Sequence, residues 1–183
     1  MNRDGFSADR SSLPESRGLF ILTGAVHSGK TTFLKSIVAE ARKRSIPVDG
    51  YLSPAAWEQG SRIGYDLLTL PEEKLFPFMR TESRPDAERV GPYYLVPETL
   101  AMARDILGSA SSKTLVIVDE IGPLELEGRG VWPALEESLR QPPRKLVLTI
   151  REPLVEAFLT RIPNGPPDIF RVDDRSAVLR ILG

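Results

Sequence analysis

The chain has 183 residues, of which 41% are apolar and 27% are charged, a composition typical of a globular protein with a core of its own. Its 24 Lys and Arg residues nearly balance 25 Asp and Glu residues, and the net charge of −1 argues against nucleic acid or an anionic membrane as a general partner. Cysteine is absent, which excludes disulfides and thiolate chemistry and favours a reducing compartment.

Residues 1–17 are polar and lack the apolar centre of a signal peptide. We interpret them as a disordered tail and residues 18–183 as a single domain. No apolar run approaches the ~20 residues that cross a bilayer, so we expect no membrane partner and a cytoplasmic location.

The first predicted element is a buried parallel strand over Leu19–Thr23, an apolar run that ends at Gly24. From Lys30 the apolar residues change to helical spacing, which predicts an amphipathic helix with Phe33, Leu34, Ile37, Val38 and Ala41 on its buried face. A second strand is predicted over Ile46–Leu52.

Residues 53–96 differ in kind from the sequence before them. Short apolar runs alternate here with five prolines, Pro54, Pro71, Pro77, Pro85 and Pro92. This pattern predicts short strands or a hairpin inserted into the main frame. A helix is then predicted to begin at Pro97, because the first turn of a helix tolerates proline.

The remaining segments return to an alternation of strands and helices. Strands are predicted over Thr114–Val118, Lys145–Ile150 and Ile169–Val172, with helices from about Gly130, over residues 154–159 and at the C-terminal end. Because strands and helices alternate, the sequence predicts an α/β fold with a mostly parallel central sheet flanked by helices.

The strongest motif is GAVHSGKT at residues 24–31, which matches the phosphate-loop pattern G-x-x-x-x-G-K-[ST] at every fixed position. It lies between a predicted strand and a predicted helix, as the motif requires. The backbone N–H groups of such a loop surround a phosphate at the positive end of the helix. The predicted nucleotide-binding residues are therefore Gly24, Ala25, Val26, His27, Ser28, Gly29, Lys30, Thr31 and Thr32.

Two of these residues have specific predicted roles. Lys30 adds a positive charge against the β- and γ-phosphates, and the Thr31 hydroxyl is a ligand for Mg²⁺, which prefers oxygen donors. His27 is the single histidine of the chain. We expect it to contribute backbone groups rather than acid–base catalysis.

An acidic pair, Asp119 and Glu120, follows the apolar run Leu115–Val118. After a phosphate loop, an acid at the end of a strand is expected to hold Mg²⁺, which we assign to Asp119. Glu120 is placed to polarise a water molecule towards the γ-phosphate, and transfer to water makes the protein a hydrolase.

Three further residues are candidates for auxiliary roles in the reaction. Thr149 is a candidate γ-phosphate sensor, and Arg151 or Arg161 is a candidate for offsetting charge in the transition state.

These residues resemble the THEP-type nucleoside-triphosphatase family. The segment DEIGPLEL at 119–126 resembles the family's D-E-I-G-K-M-E-L, and Gly50-Tyr51 with RIGYD at 62–66 resembles its G-F and R-I-G-F-D elements. VGPY at 90–93 and VDDR at 172–175 resemble two further family segments. The resemblance places Arg62, Tyr93 and Arg175 at family positions without an assigned role, and we treat the two arginines as auxiliary candidates.

The resemblance implies a RecA-like sheet and Mg²⁺-dependent hydrolysis of ATP, GTP and other nucleoside triphosphates, with loose base selectivity. The chain departs from the family pattern at Ser53–Trp57, where an acidic stretch is usual, at Pro123, where lysine is usual, and at Asp174, where asparagine is usual. Two other readings stay open, a nucleotide-binding adapter with negligible turnover and a small-molecule kinase. The oligomeric state is not predicted.

Overall fold

The computed structural model describes residues 18–25, 28–70, 72–110, 114–163, 165–174 and 176–183. The predicted tail at 1–17 lies outside the described residues. So do three of the predicted site residues, Val26, His27 and Arg175.

Strands and helices alternate along most of the chain. The strands are β1 Gly18–Gly24, β2 Val48–Leu52, β3 Ala55–Glu58, β4 Ser61–Leu70, β5 Leu75–Arg80, β6 Arg89–Val90, β7 Tyr93–Leu95, β8 Leu115–Ile121, β9 Lys145–Arg151 and β10 Asp168–Arg171. The helices are α1 Lys30–Lys43, α2 Pro97–Ser109, α3 Pro123–Leu126, α4 Trp132–Arg140, α5 Val155–Leu159 and α6 Ala177–Leu182.

The core of the sheet is parallel, in the order β10-β1-β9-β8-β2. β8 and β9 are buried along almost their whole length, because helices cover both faces of the sheet. Helices α1 and α6 pack on one face, and α2, α4 and α5 pack on the other. The structure therefore confirms the predicted α/β fold with a parallel core flanked by helices.

The predicted insertion forms strands β3 to β7, which extend the same sheet by antiparallel pairing. β4 pairs with β2 only through its last residues, with Leu68 opposite Leu52 and Leu70 opposite Gly50. The earlier part of β4 therefore extends beyond the carboxyl end of β2, where it pairs with β3 and β5. This overhang forms a wall above the edge of the parallel core.

Gly50 lies on β2, which pairs with β8 of the parallel core on one side and with antiparallel β4 on the other. Its φ angle is 101°, and a Cβ atom placed on it would lie 2.0 Å from the carbonyl oxygen of Ile117 on β8. Only glycine meets both requirements, positive φ and close backbone approach. The Gly50-Tyr51 element of the sequence therefore marks the junction between the two parts of the sheet.

Several predicted boundaries shift by one to three residues. β2 begins at Val48 rather than Ile46, and α4 begins at Trp132 rather than Gly130, whose φ of 57° is not helical. β8 continues three residues past Val118, and the short helix α3 was not predicted. Among the described residues, no helix is long and apolar enough to span a bilayer.

Candidate active site

A cleft of about 690 Å³ opens where the carboxyl ends of the core strands meet the start of α1. This is the edge at which open α/β sheets bind ligands. The phosphate loop lies on one side of the cleft, and the overhanging antiparallel strands form the other side. The predicted residues Ser28, Gly29, Lys30, Thr31, Thr32, Asp119, Glu120, Arg151 and Arg62 all line it.

The loop positions Lys30 through its backbone geometry. Gly29 has a φ of 91° and precedes the first helical residue, so the chain turns sharply into α1 at a position that favours glycine. The Lys30 ammonium donates hydrogen bonds to the carbonyl oxygens of Ala25 at 3.0 Å and Gly24 at 3.3 Å. Its side chain thus places one positive charge inside the curve of the loop.

Asp119 lies at the centre of a hydrogen-bond network. Its Oδ2 accepts from the Thr31 hydroxyl at 2.7 Å and from the Ser53 backbone N–H at 3.2 Å. Its Oδ1 accepts from the Thr149 hydroxyl at 2.7 Å, and the Ser53 hydroxyl donates to the Asp119 backbone carbonyl. The carboxylate is therefore fixed by contacts from α1, β9 and the segment after β2.

The environment of Asp119 acts on its charge in two directions. Burial raises the pKa of the carboxyl above its usual value, since only 2% of the residue is exposed. Hydrogen bonds from Thr149, Thr31 and the Ser53 backbone oppose this effect and lower the pKa. Binding a cation would favour the ionised form further.

Glu120 is held at the mouth of the cleft by Arg151. Its Oε1 lies 2.6 Å from the Arg151 Nε, and both side chains are partly exposed. Because Asp119 and Glu120 are adjacent on β8 while Arg151 ends β9, the parallel pairing of these strands brings the three groups together. Arg151 thereby orients the carboxylate that the sequence identifies as the candidate base.

The donors beside the loop fit a hard cation. Thr31 and Asp119 both offer oxygen atoms, the ligands that Mg²⁺ prefers, and their hydrogen bond places those oxygens side by side. Across the described part of the chain, no group of three or more His, Asp or Glu side chains is arranged to hold a metal. A cation here would therefore need phosphate oxygens or water to complete its coordination.

Two auxiliary predictions do not fit the geometry. Thr149 is fully buried and its hydroxyl is directed at Asp119, so it is placed to orient that carboxylate rather than to touch a γ-phosphate. Arg161 stacks on the Trp132 ring at 3.9 Å and bonds to the backbone carbonyls of Glu125 and Leu126. It stabilises the end of α3 and is not among the residues that line the cleft.

Glu125 is a site-forming residue that the sequence prediction left without a role. Its two carboxylate oxygens accept from the backbone N–H groups of Gly122 at 2.9 Å and Val131 at 3.1 Å. Burial raises its pKa, an effect that these backbone bonds partly oppose. The spacing of Gly122 and Glu125 is that of a helix-capping glutamate, a signal that the sequence does contain.

Ser53, Lys35 and Tyr65 are among the other lining residues that the predicted site does not include. Ser53 belongs to the stretch where the chain departs from the family pattern, and no motif predicts its bonds to Asp119. Lys35 could have been found from helical periodicity, because it lies one turn after Thr31 on the same face of α1.

Together, a parallel sheet, a glycine-rich loop ending in Lys-Thr and an acid at the end of β8 define a P-loop nucleotide-binding protein. The family model described as NTPase matches residues 19–178. The chain therefore belongs to this nucleoside-triphosphatase family, a family of hydrolases.

Individual relatives agree with this assignment. The chain is 34% identical over 112 residues to nucleoside-triphosphatase THEP1 of Hyperthermus butylicus, covering 61% of this chain and 59% of that one. It is 32% identical over 148 residues to the cancer-related nucleoside-triphosphatase homolog of Mus musculus, covering 75% and 77%. The crystal structure of THEP1 from Aquifex aeolicus superposes with a TM-score of 0.65 at 27% identity, covering 88% and 95%.

Proposed function

We propose that this protein hydrolyses nucleoside triphosphates, ATP and GTP among them, to the diphosphate and phosphate in an Mg²⁺-dependent reaction. The observation that carries the proposal is the convergence of Lys30, the Thr31–Asp119 pair and Glu120 on one end of a single cleft. These are the groups that phosphoryl transfer to water requires: a cation for the phosphates, a metal site and a group that orients the nucleophile.

The triphosphate binds with its phosphates in the loop. Backbone N–H groups at the start of α1 face the phosphate oxygens, and the Lys30 ammonium exchanges its bonds with Gly24 and Ala25 for bonds to the β- and γ-phosphates. These contacts involve the phosphates rather than the base. This supports activity on triphosphates of several bases.

Thr31 and Asp119 are the residues that would hold Mg²⁺. When bound, the ion would neutralise charge on the β- and γ-phosphate oxygens. Thr149 and Ser53 keep the Asp119 carboxylate in place through their hydrogen bonds. Asp119 therefore needs little rearrangement on binding, which lowers the cost of assembling the site.

Glu120 orients the attacking water and accepts a hydrogen bond from it. As the water oxygen bonds to the γ-phosphorus, the bond from that phosphorus to the β–γ bridging oxygen breaks, and the diphosphate leaves with the electron pair. The proton lost by the water passes to the carboxylate and then to the released phosphate or to solvent. Arg151 fixes the carboxylate in the geometry that this step requires.

The test is phosphate release from ATP and GTP by the wild-type protein and by Glu120→Gln. We expect kcat to fall by about 100-fold or more in the variant while triphosphate affinity is kept, because the amide orients water but accepts no proton. The matched control is Glu127→Gln, an exposed acid near the same segment that does not line the cleft. Chelating the divalent cation should abolish release.

Equal release by Glu120→Gln and the wild type would remove Glu120 from the mechanism. Tight triphosphate retention with turnover near zero in the wild type would instead favour the adapter. Undiminished release after exhaustive chelation would contradict the dependence on Mg²⁺.

A further inference from the structure

The cleft does not end at the phosphate loop. Beyond Asp119 it continues under the overhang of the antiparallel strands, where Arg62, Tyr65 and Tyr93 line it. β4, which carries Arg62 and Tyr65, lies two strands away from β8 in the sheet, or about 10 Å at the usual strand spacing. This far end of the cleft, defined by Arg62, Tyr65 and Tyr93, is called the aromatic end below.

The aromatic end adjoins the γ-phosphate side of the proposed site. In a phosphate loop the backbone surrounds the α- and β-phosphates, while the lysine and the metal reach the γ-phosphate. Asp119 on that side is bonded directly to Ser53, from which the chain runs into β3 and β4. A triphosphate bound as proposed therefore points its γ-phosphate towards the aromatic end and its base away from it. This orientation of the triphosphate, and with it the inference, rests on the proposed function.

The aromatic end offers a surface for a planar ring. The Tyr65 and Tyr93 rings meet edge to face with centroids 5.5 Å apart, and both partly buried rings line the cleft. Beside them the cleft is lined by apolar side chains, including Phe78, Met79 and Leu95. Apolar walls with a few polar groups are typical of sites for small molecules.

The aromatic end also carries the positive charge of Arg62, and Lys35 on α1 brings a second positive charge to the cleft. Arg62 and Lys35 both line the cleft, and neither makes an ion pair with the residues that the structure describes. The Arg62 guanidinium lies over the Trp57 and Tyr65 rings, and its Nη1 donates to the Tyr65 hydroxyl at 3.2 Å. Its Nε is buried with no hydrogen-bond partner among the described residues. Asp66 on the same strand is already paired with Arg80.

Arg62 lacks an acidic partner among the described residues and lies beside two partly buried tyrosine rings, a combination that favours an anion attached to an aromatic ring. Guanidinium groups bind phosphate and carboxylate with two parallel hydrogen bonds, and a buried N–H without a partner is costly unless a ligand satisfies it. Lys35 lies on the Thr31 face of α1 and supplies a second charge from the opposite side of the cleft.

We propose that the aromatic end is a second binding site, for a planar aromatic molecule that carries an anionic group, with nucleoside monophosphates as the representative class. This ligand binds together with the triphosphate rather than in its place. Its ring contacts the tyrosines, and its anionic group lies between Arg62 and Lys35.

The experiment is calorimetric titration of AMP and GMP into protein saturated with Mg²⁺ and a non-hydrolysable ATP analogue. We expect one monophosphate to bind per chain in the presence of the analogue. Adenosine, which lacks the anion, and ribose 5-phosphate, which lacks the ring, should each bind at least tenfold more weakly. Competition between monophosphate and analogue would overturn the proposal, because the aromatic end would then serve the triphosphate itself.

Variants separate this proposal from the hydrolysis proposal. Arg62→Ala and Arg62→Gln should each weaken monophosphate binding at least tenfold, whereas Arg84→Ala, an exposed arginine of the same inserted region that does not line the cleft, should not. Lys30→Ala should lose the triphosphate and keep the monophosphate, so a failure of triphosphate binding leaves the second site testable. Monophosphate affinity unchanged in both folded Arg62 variants, or no binding at millimolar concentration, would overturn the proposal.

Discussion

The two sides of the cleft come from different parts of the sheet and hold their side chains by different contacts. On the phosphate side, strands of the parallel core end together and short hydrogen bonds hold each polar group, as Thr31 and Thr149 hold Asp119. On the opposite side, an antiparallel overhang holds its side chains through ring contacts such as that between Tyr65 and Tyr93. In the proposed function the first side binds the phosphates, and in the further inference the second side binds the aromatic ligand. The two proposals therefore assign catalysis and ligand selection to separate parts of one sheet.

The largest expected effect comes from breaking the phosphate side alone. Lys30→Ala should lower kcat/KM for ATP hydrolysis by about 100- to 1,000-fold, because in the proposed mechanism it removes the ammonium that binds the β- and γ-phosphates. The fold should survive, since the Lys30 ammonium bonds only to two carbonyl oxygens of its own loop. Steady-state kinetics and thermal unfolding measure the two effects.

The matched control is Lys43→Ala, a highly exposed lysine at the other end of the same helix. It should leave kcat/KM within about twofold of the wild type, as expected for a surface substitution away from the site. If both variants lost activity equally, the effect would belong to the helix and not to the phosphate contact.

The next largest effect should come from the junction between the two sides. Gly50→Ala places a methyl group 2.0 Å from the Ile117 carbonyl oxygen, so β2 must move away from β8. We expect a loss of more than about 3 kcal/mol in the free energy of unfolding, from positive φ and overpacking together. Urea unfolding monitored by circular dichroism measures it.

Gly60→Ala separates these two causes. Gly60 also has a positive φ, of 79°, but an added Cβ would meet no atom within 4 Å. This variant should cost only about 1–2 kcal/mol, the penalty for a left-handed backbone angle. Equal losses in the two variants would show that the close approach to β8 is unimportant.

The difference between the two sides also explains what the sequence could predict. The loop, Asp119 and Glu120 were identified correctly as neighbours in space, because a motif with fixed spacing and parallel strands that end at one edge leave little choice. The parallel core could also be predicted, because alternating strands and helices in the sequence favour a parallel sheet. These inferences depend on contacts within a few residues or on a general rule of sheet topology.

The antiparallel wall could not be predicted in the same way. Its register depends on where β4 pairs with β2, and nothing near Leu68 in the chain specifies Leu52 as the partner. The bonds that the Ser53 and Thr149 hydroxyl groups donate to Asp119 were not predicted, because the acceptor lies 66 and 30 positions away in the chain. Hydrogen bonds between distant segments leave no periodic pattern in the sequence.

A smaller effect should follow from loosening the phosphate side without removing a charge. Thr149→Val deletes the hydroxyl that donates to Asp119, at nearly constant volume. We expect a loss of about 1–2 kcal/mol in the free energy of unfolding and about tenfold in kcat, because the carboxylate keeps its bonds from Thr31 and Ser53. Unfolding and kinetic measurements on the same preparation would test both.

Thr23→Val provides the control for that substitution. Thr23 is a buried threonine on the neighbouring strand β1, and its hydroxyl has no hydrogen-bond partner among the described residues. Replacing it with valine should be neutral or stabilising, because no bond is lost and a polar atom leaves the interior. Equal losses in the free energy of unfolding in the two variants would mean that valine is costly at either position. The hydrogen bond from Thr149 to Asp119 would then contribute nothing to stability.

The smallest expected effect concerns the pH dependence of the segment that follows Glu120. Burial raises the pKa of Glu125 above its ordinary value of 4.5, so between pH 4.5 and the raised pKa the folded protein binds more protons than the unfolded chain. The free energy of unfolding therefore falls as pH rises through this window. Glu125→Gln cannot titrate, so we expect its stability to vary less with pH from 4.5 upward, as measured by urea unfolding at a series of pH values. The exposed Glu127→Gln should keep the wild-type slope, and a Glu125→Gln curve that runs parallel to the wild type throughout would show that the buried carboxyl does not titrate in this range.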